Sequence, residues 1–240
     1  MQLIVMSSDK TLHTLKGFFW CWEKYAKQLE VETVVCGFTP PTFDIPADFY
    51  SIGNFEDYPH QRWTDSFIKV LNNVADETFL FLMDDFWINR KIDVAGMTMM
   101  FHYMYQFTNV IKFDPTRERL FADGGGKYLF GYNTYASLGY LDLIKSDHGS
   151  MYHMSLWGGL FRRDLLKEIV VFGETAQALE INGTRRLSQY GDEMLVLGSR
   201  NAPLMHTNVV QRSEWNQDPM TGLPALDPID LQELKELGHV

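Results

Sequence analysis

The run Thr78-Phe79-Leu80-Phe81-Leu82-Met83 followed by Asp84-Asp85 constrains this chain more than any other segment. Its side chains are apolar at both parities, the pattern of a strand covered on both faces in the centre of a parallel sheet. It then stops at two adjacent carboxylates. Upstream, strand and helix patterns alternate. Gln2–Met6 is a short apolar run closed by Ser7-Ser8-Asp9, and Leu12–Leu29 carries apolar residues at helical spacing. Val31–Phe38 is rich in β-branched residues, Phe49–Ile52 reads as a third strand, and 60–74 reads as a helix. Alternation of this kind predicts an α/β fold with a Rossmann-like, mostly parallel central sheet flanked by helices.

The second half is less regular. A helix is expected over Val94–Gln106, where Met97, Met99, Met100 and Met104 read as gap-filling core rather than a groove. Asn109–Phe113 reads as a strand, and Asp123-Gly124-Gly125-Gly126-Lys127 as a hairpin turn or flap without phosphate-loop spacing. Short helices are expected at Arg163–Ile169 and Thr175–Ile181, and short strands at Met194–Leu197 and His206–Val210. One amphipathic helix is expected over Leu231–Leu237. At 240 residues the chain suits a single domain: a ligand-binding half over 1–115, a second half over 116–218 and a tail over 219–240.

The formal net charge of −10 places sequence-read nucleic acid at a disadvantage as a partner, since such binding draws on Lys and Arg against phosphates. A local cleft for a diphosphate is compatible with it. Cys21 and Cys36 lack the spacing of a zinc site or disulfide framework. No signal-peptide pattern, spanning segment or basic amphipathic helix is evident, so stable membrane insertion is not expected. The expected location is the cytoplasm, of a bacterium or of a virus-infected host cell.

In open α/β sheets ligands gather beyond the carboxyl ends of the strands, where Ser7-Ser8-Asp9 and Asp84-Asp85 both fall. Two adjacent carboxylates repel each other and are costly to bury, and a divalent cation resolves both difficulties. Oxygen donors suit Mn²⁺ or Mg²⁺, which share their shells with substrate phosphates. The competing reading has one Asp capping the next segment and the other facing water.

The stretch Thr78–Trp87, with its Asp84-Asp85-Phe86, resembles the metal-binding strand of GT-A-type glycosyltransferases, in particular small bacterial and viral members with a "DDF" or "DDY" signature. The resemblance extends to Arg62-Trp63-Thr64-Asp65, to Ser155-Leu156-Trp157 with Arg162-Arg163-Asp164-Leu165-Leu166, and to Gly173–Glu180. The chain departs from the family pattern in two places. The acidic–x–acidic triplet is here Asp84-Asp85-Phe86, and Gln177-Ala178-Leu179 replace the aromatic residues expected before Glu180.

The resemblance implies a transferase in which Mn²⁺ or Mg²⁺ at Asp84 and Asp85 bridges the diphosphate of a nucleoside-diphosphate sugar, a UDP-sugar by family habit. Ser7, Ser8 and Asp9, with Trp63 and Asp65, would line the donor nucleotide, and Glu180 would be the general base of an inverting displacement. Arg185 or Arg186 is an alternative partner for Glu180. His206 is either a late metal ligand or a hydrogen-bonded core residue. Trp157 and Gly158 fit a sugar shelf or core packing, and Arg162 or Arg163 a phosphate contact or ordinary surface charge. The acceptor is unspecified: a glycan, a lipid-linked sugar and a modified nucleobase all fit. The alternatives are a nucleotidyltransferase, against which the glycine-free Ser7–Lys10 loop counts, and an inactive nucleotide- or carbohydrate-binding protein.

Overall fold

The computed structural model describes residues 1–116, 130–150, 152–211 and 213–240. The glycine run at 123–127 lies outside the described residues. The chain opens with β1 (Gln2–Met6), α1 (Leu15–Tyr25), β2 (Glu32–Gly37), β3 (Asp48–Ser51), α2 (Trp63–Asn73) and β4 (Thr78–Met83). It continues through β5 (Phe86–Ile88), α3 (Val94–Gln106), β6 (Val110–Asp114), β7 (Phe130–Leu138), β8 (Leu141–Ser146) and β9 (Gly159–Arg162). Then follow α4 (Arg163–Ile169), α5 (Ala176–Ser188), β10 (Leu195–Ser199), β11 (His206–Asn208), β12 (Val210–Gln211), β13 (Glu214–Trp215) and α6 (Pro228–Glu236).

Nine strands form one sheet in the order β3-β2-β1-β4-β9-β6-β10-β8-β7. β3, β2, β1 and β4 are mutually parallel, as are β6 and β10. β9 runs antiparallel between β4 and β6, and β8 antiparallel between β10 and β7. Seven of the nine strands therefore point one way, the mostly parallel sheet that the sequence predicts.

Two apolar layers sandwich the sheet, and strict alternation along the strands feeds them. Leu3, Val5, Leu80 and Leu82 face the layer built by α1 and α3; Ile4, Met6, Phe79 and Phe81 face the layer built by α2, α4 and α5. Met97, Met100 and Met104 are fully buried in the first layer, as core. Cys21 and Cys36 are buried free thiols.

Some boundaries move. The helical pattern from Leu12 to Leu29 becomes a 3-10 turn at Leu12–Thr14 and the shorter α1, and α5 runs on to Ser188. The apolar stretch Met154–Phe161 divides into an approach segment and the start of β9. β5, β7 and β8 are additions to the expected elements. β5 follows β4 at once and leaves the main sheet to pair with β11.

Candidate functional site

β1 and β4 are parallel neighbours and end together, so Ser7 and Asp84 emerge side by side. The Asp84 amide donates to the Met6 carbonyl at 3.0 Å, and the Ser7 hydroxyl donates to Asp84 Oδ2 at 2.6 Å. Asp84 is 3% exposed. Burial, and then the neighbouring Asp85 charge, hold its carboxyl well above the usual range; bonds from Ser7, Thr11 and the Ser8 backbone oppose that rise. Burial pushes Asp85 up to about 7, and its Oδ1 is a buried oxygen without a hydrogen-bond partner.

Trp87 holds the turn after the pair. Its indole N–H donates to the Asp84 carbonyl at 3.2 Å, and its ring packs where a Cβ on Gly17 would stand, 2.0 Å from the nearest ring carbon. Only glycine lets α1 come this close. The Asp85 carbonyl accepts from the Val209 amide at 2.8 Å, so the β5–β11 ribbon fixes the other side.

The segment entering β9 lies beside this edge, because Gly159 pairs with Phe81 in antiparallel register. A Cβ on Gly158 would stand 2.5 Å from a methyl carbon of Leu82, so any larger residue would displace that side chain. Half-buried Trp157 leans on Phe86, with centroids 5.0 Å apart, and His206 stacks flat on the same Phe86 at 4.6 Å. His206 is buried, neither of its ring nitrogens has a hydrogen-bond partner, and burial pushes it down to about 4. The charged groups acting on it are Asp114 and Lys112, and among the described residues no three His, Cys, Asp or Glu side chains converge as a metal set. His206 thus stands in an aromatic stack with Phe86 and Trp157.

Glu180 reaches this edge from α5: its Oε1 accepts from the Leu156 amide at 2.8 Å. Arg186, expected as a partner for Glu180, instead grips Glu174 with two guanidinium nitrogens at 3.0 and 2.7 Å. The carboxylate therefore stands against the strand segment that carries Trp157 and Gly158.

The other expected residues have partners of their own. Arg162 pairs with Thr78, at the opposite end of β4 from Asp84, and binds Glu77 and the Met104 carbonyl. At about 3.3 Å per residue along the strand, it is too far to meet a phosphate at the aspartates. Arg163 is likewise turned to Asp164 and the Ala75 carbonyl. Asp65 uses Oδ1 on the Gly173 amide at 2.7 Å and Oδ2 on Arg62 at 2.5 Å, so it anchors the turn into α5. Trp63 stacks on Phe67 at 5.1 Å, and exposed Asp9 joins the loop after β2 through Thr39.

A further pair lies under the shelf. Lys112 and Asp114, each 1% exposed at the end of β6, approach to 3.4 Å. Lys112 also donates to the Trp157 carbonyl at 3.1 Å and to Ser155 Oγ at 3.3 Å. A lysine inside the apolar strand 109–113 was the available signal.

No family model matches the sequence, and no curated protein matches it. Among solved structures, the chain is similar to an active-site mutant of LgtC, at 12% identity and TM-score 0.42, covering 70% of this chain and 62% of that one. It is also similar to residues 1–349 of S. aureus TarS (13% identity, TM-score 0.45, covering 86% and 59%) and to apo mouse xyloside xylosyltransferase 1 (8% identity, TM-score 0.43, covering 80% and 83%). The chain thus spans about three fifths of the length of the first two. At such identities and scores these likenesses assign no chemistry.

Proposed function

We propose that this protein is a metal-dependent glycosyltransferase that moves a sugar from a nucleoside-diphosphate sugar to an acceptor hydroxyl. The observation that carries the reading is the Asp84-Asp85 pair: two carboxylates raised in pKa, one fixed by Ser7 and the other presenting a buried oxygen without a partner. That is the environment a hard divalent cation relieves. Asp84 and Asp85 would hold Mn²⁺ or Mg²⁺, with donor phosphate oxygens and water completing the shell. When bound, the ion supplies stabilisation of the negative charge that develops on the leaving diphosphate.

The chain's own groups divide the remaining work. Ser7 orients Asp84, and the Ser8–Asp9 loop borders the place where a nucleoside would lie. The half-buried Trp157 ring offers an apolar face to a sugar. Glu180, held at the Leu156 amide, is the base for the acceptor proton in an inverting displacement. UDP is the first nucleotide to try, on the resemblance alone.

Thermal shift and calorimetry with a panel of nucleoside diphosphates and their sugars, in Mn²⁺, Mg²⁺ or chelator, test this. The expected outcome is metal-dependent stabilisation by one nucleoside diphosphate, lost in Asp85→Ala. With the donor so found, Glu180→Gln should lower turnover by about 10²–10⁴-fold, since a glutamine oxygen still accepts the Leu156 bond but takes no proton. The absence of metal-dependent binding by any nucleotide would overturn the reading.

A further inference from the structure

The loop after β8, which leaves the sheet at the end opposite the aspartates because β8 runs antiparallel to β10, brings two histidines together. His148 and His153 approach with ring centroids 5.4 Å apart and planes at 81°. His153 is 2% exposed, whereas the His148 side chain is 28% exposed. Each ring has one nitrogen engaged and one not. His148 Nε2 lies 2.8 Å from Asp192 Oδ1, and His153 Nδ1 lies 2.8 Å from Ser146 Oγ. His148 Nδ1 and His153 Nε2 are buried and have no hydrogen-bond partner.

We propose that His148 and His153 form a two-histidine site for a borderline transition-metal ion of the Zn²⁺ type, distinct from the carboxylate site. Three features converge on it. An ion about 2.0–2.1 Å from one nitrogen of each ring, at near-tetrahedral angles, sets imidazole centroids about 5 Å apart, close to the separation found. A ligating histidine almost always has its other nitrogen on a carboxylate, hydroxyl or carbonyl that fixes tautomer and orientation, the role open here to Asp192 and Ser146. Two unpartnered buried nitrogens on touching rings are costly in a metal-free protein, and a shared ion satisfies both.

Imidazole nitrogen strongly favours Zn²⁺, Co²⁺ or Ni²⁺ over Mg²⁺, while the all-oxygen Asp84-Asp85 pair discriminates far less and suits Mg²⁺ or Mn²⁺. Asp147 and Asp192 bring negative charge to the site and Lys112 and Lys145 bring positive charge, as the groups facing the two rings. With two protein ligands, water fills the remaining positions. The 28% exposure of His148 gives the ion a route from solvent.

The test titrates the full-length, chelator-treated protein with Zn²⁺ by calorimetry and with Co²⁺ by visible absorption. It uses wild type, His148→Ala, His153→Ala and the Asp84→Asn/Asp85→Asn double variant. Binding with Co²⁺ bands typical of nitrogen ligation, retained in the double aspartate variant and weakened at least tenfold in both histidine variants, is the expected result. Equal Zn²⁺ affinity in wild type and His148→Ala would overturn the proposal, as would affinity that disappears with the aspartates. Should His153→Ala fail to fold, His148→Asn, at the more exposed ring, decides in its place.

Discussion

In the metal-free protein Asp84 and Asp85 both sit above the usual carboxylate range, Asp84 chiefly by burial and then by its neighbour, Asp85 by burial to about 7. In the unfolded chain each titrates near 3.9. A carboxyl whose pKa is raised on folding contributes its stability in the protonated form. That contribution is complete below about pH 4 and is lost as pH rises through about 7. Melting in chelator should therefore show wild type losing stability between about pH 4 and 7 relative to Asp85→Asn, which retains the hydrogen-bonding shape without the charge. Mn²⁺ at pH 8 should restore wild type and leave the variant nearly unmoved. Parallel pH curves for the two proteins would refute this account of the pair. The adjacent acids at a strand end are visible in the sequence; the anchoring by Ser7 and the unpartnered Asp85 oxygen depend on which strands become neighbours.

At the scale of elements, β6 and the approach to β9 are joined by one buried ammonium. Lys112 serves Asp114, Ser155 and the Trp157 carbonyl together, while Asp114 also accepts from the Thr116 amide and hydroxyl. Removing one partner of a buried ion pair costs about 3–5 kcal/mol, because the other charge is left without compensation. Lys112→Met should lose stability on that order in denaturant unfolding, and Lys112→Met/Asp114→Asn should recover part of it. If the two variants are equally destabilised, the lysine matters through its packing rather than through Asp114. Elements marked by a clear apolar pattern were legible: β1, β4, α3 and α4 lie where it puts them. β5 was not, because three residues carry too little period to mark a strand. The reversed direction of β9 was not either, since orientation comes from pairing with β4 and β6 and leaves no trace in its own residues. The same holds for Arg162: its side chain is polar and well placed in a motif, yet it binds Glu77 at the opposite end of β4 from the aspartates.

Across the whole molecule, α1 stands between the aspartates and a contact far along the chain. α6 docks on α1, where Asp230, 3% exposed, receives Lys24 at 2.5 Å and the Tyr25 hydroxyl, and Leu234 is fully buried in the α1–α3 layer. α1 in turn leaves room for Trp87 at Gly17 and follows the Ser8–Thr11 turn beside Asp84. The amphipathic run 231–237 announced a helix, but the buried Asp230 at its start became meaningful only once α1 supplied partners. Deleting residues 227–240 removes one buried leucine and a charged hydrogen-bonded group. Together these cost about 3 kcal/mol, or roughly a 6–12 °C drop in Tm for a chain of this length. The folded fraction should bind its nucleotide within about threefold of wild type, because a Tm loss at the α1–α6 contact leaves Ser7, Asp84 and Glu180 in place. A simultaneous loss of Tm and of nucleotide affinity in the fully folded protein, at low temperature, would show that α1 transmits the docking of α6 to the carboxylates. An unchanged Tm would show that α6 contributes no docking energy.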